Sequence, residues 1–301
     1  WRLAGWAASG FGSATTAWSG VWAQAPAQTP DQAVVADPKP DAAHPANLHQ
    51  IRYPTGGVEV PARFFVAAGA GPHPTVLLLH GLPGTELNLD LARAMQRAGW
   101  NVMAIHYRGL WGSPGQFSLT HAAQDARAAL AYLHDPGMAE VIDAKRIVLV
   151  GHSMGGFATV MTGDDPGAAG FVTISAWDPT ADAPSMAPDK RAAMAASWSP
   201  DLSYTNITFD GMADDIVGNV EAWDWARNGA EMAGRPVLII DSDDGLAPRG
   251  DALALAVGQA AKTGGGPAPT RLTFRTDHSY NDSRIALASA IVAWLRKTFP
   301  D

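Results

Sequence analysis

The sequence GHSMG at residues 151–155 holds the side chain of this chain best suited to nucleophilic chemistry. It follows an apolar run at 147–150 and precedes a run of small residues compatible with a helix. A G-x-S-x-G sequence between a strand and a helix is typical of a nucleophile elbow, in which the serine occupies a strained turn. The flanking glycines lack Cβ atoms, so the strand and the helix can approach closely. We therefore predict that Ser153 is a catalytic nucleophile.

A serine hydroxyl needs a general base to activate it and a carboxylate to orient that base. Three aspartates, Asp241, Asp243 and Asp244, follow an apolar run at 236–240, and His278 follows a strand-like run at 271–275. We favour His278 as the base. The other histidines lie in a linker, early strands, helix ends, glycine turns or, for His152, inside the elbow. The competing interpretation is that His278 is an ordinary loop residue.

Composition excludes several classes of function. The 301 residues carry a net charge of −8, which argues against nucleic acid as a partner. The chain has no cysteine, so a thiol nucleophile and thiolate metal sites are excluded. No apolar run is long enough to span a membrane, and nucleotide-binding and zinc-protease motifs are missing, so we expect no cofactor and no metal.

Apolar runs alternate with helical patterns along most of the chain. The predicted strands are 48–53, 58–67, 75–79, 101–105, 147–150, 171–175, 236–240 and 271–275. The predicted helices are 86–98, 120–134, with Thr120 as the N-cap, 222–233, 251–261 and 283–299. This alternation predicts an α/β fold with a doubly wound, mostly parallel sheet, in which ligands bind beyond the carboxyl ends of the strands.

Two segments fall outside this alternation. Residues 1–46 form an extension, in which 1–25 resembles a signal sequence ending in Ala23-Gln24-Ala25 and 26–45 has the Pro- and Ala-rich composition of a flexible linker. We therefore expect an exported protein, periplasmic or secreted, with a cytoplasmic protein as the alternative. The folded domain should span 47–301, with an insertion at about 176–222 that lacks strand-like runs.

Across 47–301 the chain resembles the α/β-hydrolase superfamily, in its serine-esterase and prolyl-oligopeptidase-like branch. The resemblance implies the order serine, acid, histidine and a helical lid at 176–222. The family's acid stands four residues before a proline, which favours Asp244, with Asp243 and then Asp241 as alternatives. The implied oxyanion-hole donors are the backbone N–H groups of Leu82, in a His-Gly-x-Pro sequence, and of Met154.

The same resemblance implies a serine hydrolase that cleaves small carboxylic esters through an acyl-enzyme. The alternatives are a peptidase or aminopeptidase of prolyl-oligopeptidase type, disfavoured because no β-propeller sequence precedes the domain, and a non-catalytic ligand-binding member. Trp198, Tyr204 and Met212 in the insertion are candidates for contacting the substrate, or they only pack the insertion onto the core. Arg108 is expected to anchor loops.

Overall fold

The computed structural model describes residues 29–300. Its strands are β1 (Asn47–Thr55), β2 (Val58–Val66), β3 (His73–Leu79), β4 (Asn101–Ile105), β5 (Ile142–His152), β6 (Gly170–Ile174), β7 (Val237–Asp241) and β8 (Thr270–Thr273). Its α-helices are α1 (Gln32–Val35), α2 (Leu89–Arg97), α3 (Leu119–Leu133), α4 (Met154–Met161), α5 (Arg191–Leu202), α6 (Phe209–Gly218), α7 (Trp225–Glu231), α8 (Ala247–Gly264) and α9 (Arg284–Thr298). Short 3-10 helices lie at Pro136–Met138 and Pro179–Ser185.

The eight strands form a sheet of order β1-β2-β4-β3-β5-β6-β7-β8. The β1–β2 and β2–β4 pairs are antiparallel, and all other pairs are parallel. The register sets Leu79 beside Gly151, and His152 beside Ile174. The carboxyl ends of the central strands therefore meet at one edge. The predicted mostly parallel, doubly wound sheet is confirmed.

Alternate residues of the buried strands face opposite helical layers. Leu77, Leu149 and Ile239 pack in a core with residues of α3, α4 and α8. Their neighbours Val76, Val148 and Leu238 pack in a second core with residues of α2 and α9. A strand buried on both faces has no polar side, which explains why these strands are continuous apolar runs in the sequence.

The start of α3 differs from its prediction. Ser118, not Thr120, is the N-cap, and its side chain accepts a hydrogen bond from the His121 amide. Thr120 instead donates from its hydroxyl to Asp215 Oδ1, at 2.6 Å. The predicted N-cap at Thr120 is therefore wrong, since this residue lies inside the first turn of α3 and bonds a side chain of α6.

Part of the predicted linker is ordered, so the expectation of a flexible chain throughout 26–45 is wrong. Helix α1 begins after Asp31, which caps it. Arg97 donates to the carbonyls of Ala33 and Val34, and Arg296 pairs with Asp31 at 2.6 Å. These partners are far along the chain, so the composition of the segment could not reveal them. The predicted signal-like stretch 1–25 lies outside the described residues.

The insertion between β6 and β7 is helical and is tied to the loop after β4. Its Asn206 side chain accepts from the Phe117 amide at 2.8 Å and donates to the Gly115 carbonyl at 2.8 Å. Tyr204 stacks on Trp111 with ring centroids 4.2 Å apart. The insertion therefore packs over the carboxyl edge of the sheet, where the β4 loop lies.

Candidate active site

Ser153 lies between β5 and α4 in a backbone conformation that residues other than glycine rarely adopt. Its φ is 56° and its ψ is −117°. Its amide donates to the Ile174 carbonyl at 2.9 Å, and its carbonyl accepts from the Trp177 amide at 3.1 Å. These bonds hold the turn against β6. Positive φ at a non-glycine residue is uncommon and costly, and such strained residues cluster at active sites.

Two glycines make room for this turn. A Cβ atom on Gly155 would lie 2.0 Å from the Leu79 carbonyl oxygen, so only glycine lets α4 approach β3 this closely. A Cβ atom on Gly81 would lie 2.9 Å from Ser153 Cβ and 3.4 Å from its Oγ. The loop after β3 therefore lies directly against the candidate nucleophile.

The structure brings His278 and Asp244 together. His278 Nδ1 donates to Asp244 Oδ2 at 2.7 Å, and Asp244 Oδ1 accepts from the Leu246 amide at 2.8 Å. Burial alone would raise the pKa of Asp244, but the hydrogen bonds from His278 and Leu246 lower it below its usual value. Asp244 is thus an ionised acceptor that orients the imidazole.

The other two aspartates of the cluster have different surroundings. Asp243 is exposed, and its amide donates to the Thr276 carbonyl at 3.2 Å. Asp241 is 2% exposed and pairs with Arg271 at 2.7 Å. Burial raises the pKa of Asp241 to about 6, although Arg271 lowers it. Asp241 anchors β8 and the start of α8 rather than the imidazole.

A buried hydroxyl cluster beneath Asp244 was missed by the sequence analysis. The Ser175 hydroxyl lies 2.9 Å from Ser242 Oγ and 3.0 Å from Tyr280 Oη, and a hydrogen bond from Ser175 also lowers the pKa of Asp244. Burial raises the pKa of Tyr280, which therefore stays neutral. Ser175 and Tyr280 have positive φ values of 41° and 58°. In the sequence, the only indication that Ser175 and Tyr280 belong to the site is that Ser175 directly follows β6 and Tyr280 lies close to His278.

His278 also packs against the elbow. Its ring centroid lies 4.7 Å from that of His152, whose Nε2 donates to the His278 carbonyl at 2.9 Å. Burial lowers the pKa of His152 to about 3, so it is a neutral spacer. Among the described residues, neither the Ser153 hydroxyl nor His278 Nε2 has a hydrogen-bond partner. The His278 side chain is 39% exposed, so the imidazole is accessible to an incoming molecule.

Leu82 follows Gly81, which lies against Ser153, and Met154 is the first residue of α4. The first N–H groups of a helix have no partner within the helix, so the Met154 amide is available to an anion. His80 stabilises the loop, because its Nδ1 donates to the Gly81 carbonyl at 2.7 Å. Burial lowers the pKa of His80 to about 4, so the ring is neutral.

Arg108 lies below the β4 loop as a structural anchor. Its Nε donates to Asp125 Oδ1 at 2.6 Å, and its amide donates to Asp125 Oδ2 at 2.8 Å. Thr55 adds a hydroxyl donor to the same carboxylate at 2.7 Å. The pair is almost fully buried, as the sequence analysis expected for an anchoring residue.

The three candidate substrate residues of the insertion have different environments. Met212 is fully buried in the core. Tyr204 is 45% exposed and stacks on Trp111. Trp198 packs against Trp177, with ring centroids 5.4 Å apart, and the Trp177 amide bonds the Ser153 carbonyl. Of the three, Trp198 is therefore tied most directly to the elbow.

Neither a metal site nor a membrane span is evident in the described part of the chain. Within residues 29–300, His, Asp and Glu side chains form no group of three that could hold a metal ion. Over the same residues, none of the helices combines the length and the apolar character needed to cross a bilayer.

Comparison with known proteins identifies the family of this chain. The profile of the alpha/beta hydrolase family matches residues 76–296, which include Ser153, Asp244 and His278. The chain belongs to the alpha/beta hydrolase family. An uncharacterized protein of Mycobacterium tuberculosis is 33% identical over 128 residues. That stretch covers 42% of this hydrolase-family chain and 44% of the relative, so the match spans less than half of either protein.

Solved structures show the same fold at low sequence identity. A thermostable carboxyl esterase from Bacillus coagulans superposes with a TM-score of 0.63 at 13% identity, covering 83% of this chain and 98% of the esterase. The acylaminoacyl peptidase of Pyrococcus horikoshii superposes with a TM-score of 0.60 at 13% identity, covering 84% of this chain and 41% of the peptidase. Identities this low establish the shared alpha/beta hydrolase fold alone.

Proposed function

We propose that this protein is a serine hydrolase that cleaves carboxylic esters with Ser153, His278 and Asp244 as its triad. The observation that carries the proposal is the strained Ser153 turn beside an imidazole whose Nδ1 bonds a buried carboxylate. The carboxyl esterase of Bacillus coagulans, which has the same fold, supports the choice of an ester. The expected substrate is a small molecule, and the reaction needs no cofactor.

Each member of the proposed triad has one role. Asp244 holds the proton of His278 on Nδ1, so Nε2 presents a lone pair. That nitrogen takes the Ser153 proton as Oγ attacks the ester carbonyl, and it returns the proton to the leaving alkoxide when the tetrahedral intermediate collapses. A water molecule, deprotonated by the same imidazole, then attacks the acyl-enzyme. The second tetrahedral intermediate collapses, the imidazolium returns the proton to the leaving Ser153 Oγ, and the acid is released.

The developing oxyanion would be held by the amides of Leu82 and Met154. Met154 lies at the N-terminus of α4, where the helix dipole also favours a negative charge. Each such donor is worth about 3 kcal/mol in the transition state. Since the donors are backbone groups, their position relative to the oxyanion depends on the conformation of the loop after β3. His80 and Trp111 hold that loop through hydrogen bonds to the carbonyls of Gly81 and Pro83.

The insertion is proposed to act as a lid that shapes the acyl or alcohol site. Trp177 and Trp198 place aromatic surface next to the elbow, where an apolar substrate part could pack. Met212 is too deeply buried for this role and is assigned to packing. Tyr204, stacked on Trp111, is assigned to holding the lid on the β4 loop.

A peptidase is the second candidate, favoured by the similar fold of the Pyrococcus horikoshii acylaminoacyl peptidase. The same triad can cleave amides if the leaving amine is protonated as it departs. Matched ester and anilide substrates with the same acyl group separate the two functions. An esterase hydrolyses the ester far faster, whereas a peptidase hydrolyses acylamino-acid anilides with comparable kcat/KM.

Burst kinetics with p-nitrophenyl butyrate test the proposal. The wild-type protein should show turnover, and Ser153→Ala should lower kcat by roughly 10³-fold or more, as loss of a triad nucleophile does. Full activity in Ser153→Ala would overturn the assignment. A protein that binds ligands but shows no turnover with esters or amides would instead be a non-catalytic member of the family.

A further inference from the structure

A concavity lies outside the proposed triad and oxyanion hole. It is a cleft of about 580 Å³ between the exposed face of the β1–β2 hairpin and the loop after β4. Its lining includes Arg52 and Arg63 of the hairpin, and His106 and Trp111 after β4. Its volume lies within the range of small-molecule sites.

The charge of this cleft is opposite to that of the chain. Its lining includes Arg52 and Arg63 and no aspartate or glutamate, although the whole protein has a net charge of −8. A concave wall carrying charges of one sign concentrates the field inside it and attracts the opposite charge. The expected ligand group is therefore an anion.

Arg63 is a half-buried cation without a counter-ion. Its Nη1 donates to His106 Nε2 at 3.0 Å, and within residues 29–300 no carboxylate lies within ion-pair distance of it. By contrast, the buried Arg108 is paired with Asp125. A partly desolvated charge without an opposite charge is costly, and the remaining Arg63 donors can bind a carboxylate in a two-point fork.

His106 orients this guanidinium. Because arginine only donates, Nε2 of His106 accepts the bond, which leaves the imidazole proton on Nδ1. Burial, followed by the charge of Arg63, lowers the pKa of His106, so the ring stays neutral and Nε2 keeps the lone pair that accepts the Arg63 bond. Arg52 is the second cation of the wall, and one of its donors bonds the Glu59 carbonyl at 3.2 Å.

The cleft is connected to the candidate active site by the loop after β3. Trp111, one wall of the cleft, donates from Nε1 to the Pro83 carbonyl at 2.6 Å. A Cβ atom on Gly84 would lie 3.1 Å from that nitrogen, whereas one on Gly81 would lie 2.9 Å from Ser153 Cβ. Three peptide units join Gly81 to Gly84, a span of at most about 11 Å. The loop after β3 therefore contacts both Trp111 at the edge of the cleft and Ser153.

We propose that this cleft binds a carboxylate of the substrate, so that the preferred esters carry a negative charge remote from the scissile bond. Arg63 is the main ligand of that carboxylate, and Arg52 adds a second positive charge. The inference rests on the proposed ester hydrolase function, which it makes more specific. A free dicarboxylate or inorganic phosphate acting as an effector has the same chemistry and is distinguished by the experiment.

The experiment measures kcat/KM for the mono-p-nitrophenyl esters of adipic, suberic and sebacic acid. Each is compared with its methyl-capped analogue, which has the same chain and no charge. The wild-type protein should prefer at least one charged ester by about 10-fold or more, as expected for a fork between arginine and carboxylate. Arg63→Gln should bring that ratio close to one, and Arg63→Lys should retain part of it.

Arg93→Gln is the matched control. Arg93 also lacks an ion pair among the described residues, bonds Gln96 and lies over Phe65, but it is outside the cleft. This variant should keep the wild-type ratio of kcat/KM between the charged ester and its methyl-capped analogue. The inference is overturned if this ratio is near one in the wild-type protein, or if Arg63→Gln leaves it unchanged.

Calorimetric titration of suberate separates this inference from the proposed function. If no ester is hydrolysed but suberate binds the wild-type protein and not Arg63→Gln, the anion site stands and the proposed function fails. If uncharged esters are hydrolysed but suberate does not bind, the function stands and the inference fails. If phosphate or suberate changes the hydrolysis of uncharged esters while charged esters show no preference, the cleft is an effector site and the substrate assignment is wrong.

Discussion

His278 Nδ1 bonds Asp244 Oδ2 at 2.7 Å, although 34 residues separate them in sequence. The carboxylate side chain is 5% exposed, whereas the imidazole is 39% exposed. The acid is therefore enclosed by the protein while the base reaches the surface beside the elbow. Such a pair fixes the tautomer of the imidazole and leaves Nε2 for a proton transfer.

Asp244→Asn should remove activity with little change in fold. The amide keeps the shape of the carboxylate but no longer stabilises the imidazolium, and it disfavours the required tautomer. We expect kcat with p-nitrophenyl butyrate to fall by roughly 10³- to 10⁴-fold. Asp243→Asn is the control, because Asp243 is exposed and adjacent in sequence. Equal losses in both variants would contradict the assignment of Asp244.

Asp241→Asn should affect stability rather than catalysis. Asp241 and Arg271 form a buried pair, and the amide removes one charge while Arg271 keeps Asp251 as a partner. We expect the free energy of unfolding to fall by about 2 kcal/mol, as measured by urea denaturation, with kcat/KM largely retained. A large loss of kcat in a fully folded variant would show that Asp241 takes part in the chemistry.

The protein should be less stable in acid because it buries neutral histidines. Burial lowers the pKa of His80 to about 4 and that of His152 to about 3, whereas an unfolded histidine titrates near 6.5. Between these values the unfolded chain binds more protons, so the free energy of unfolding falls as the pH drops below about 6.5. Asp241 has the opposite effect. Its pKa in the folded protein is raised to about 6, so protonation of its carboxyl group increases the free energy of unfolding as the pH falls below that value.

Urea unfolding at pH 5 and pH 7 measures this dependence. His152→Gln removes one of the protons taken up on unfolding and should flatten the slope by about 1.4 kcal/mol per pH unit. Glutamine can still donate to the His278 carbonyl. Higher stability at pH 5 than at pH 7, or an unchanged slope in the variant, would show that these rings are not buried as neutral groups.

Gly155→Ala should disrupt the elbow. The added Cβ would lie 2.0 Å from the Leu79 carbonyl oxygen, so α4 and Ser153 must move away from β3. We expect a lower melting temperature and a large loss of kcat. Gly218→Ala, at the end of α6, is the control because a Cβ there meets nothing within 4 Å. Normal activity in Gly155→Ala would mean that the elbow still works when α4 lies farther from β3, which would contradict the need for glycine at this position.

Much of this arrangement could be predicted from the sequence because local signals marked it. The central strands are continuous apolar runs that end in glycine-containing turns, and the residues of the candidate site follow those ends. The elbow was recognisable from GHSMG and its flanks. These signals depend on neighbours in sequence, so they located every strand but not all of the ends. Strand β5 begins at Ile142 and not at 147, and α8 spans Ala247–Gly264 and not 251–261.

Contacts between distant residues could not be predicted. Choosing among Asp241, Asp243 and Asp244 required the actual turn after β7, since all three follow the same strand. The Arg63–His106 pair joins β2 to the end of β4 through the sheet register. Helix α1 is held in place by Arg97 and Arg296, and no local sequence pattern links these residues to the helix.

Active-site labelling shows whether Ser153 is an activated nucleophile. The protein is incubated with a fluorophosphonate, digested and mapped by mass spectrometry. We expect one phosphonyl group on Ser153, with labelling abolished in Ser153→Ala and strongly slowed in Asp244→Asn. Labelling of a different serine, or unlabelled Ser153 in a protein that hydrolyses esters, would contradict it.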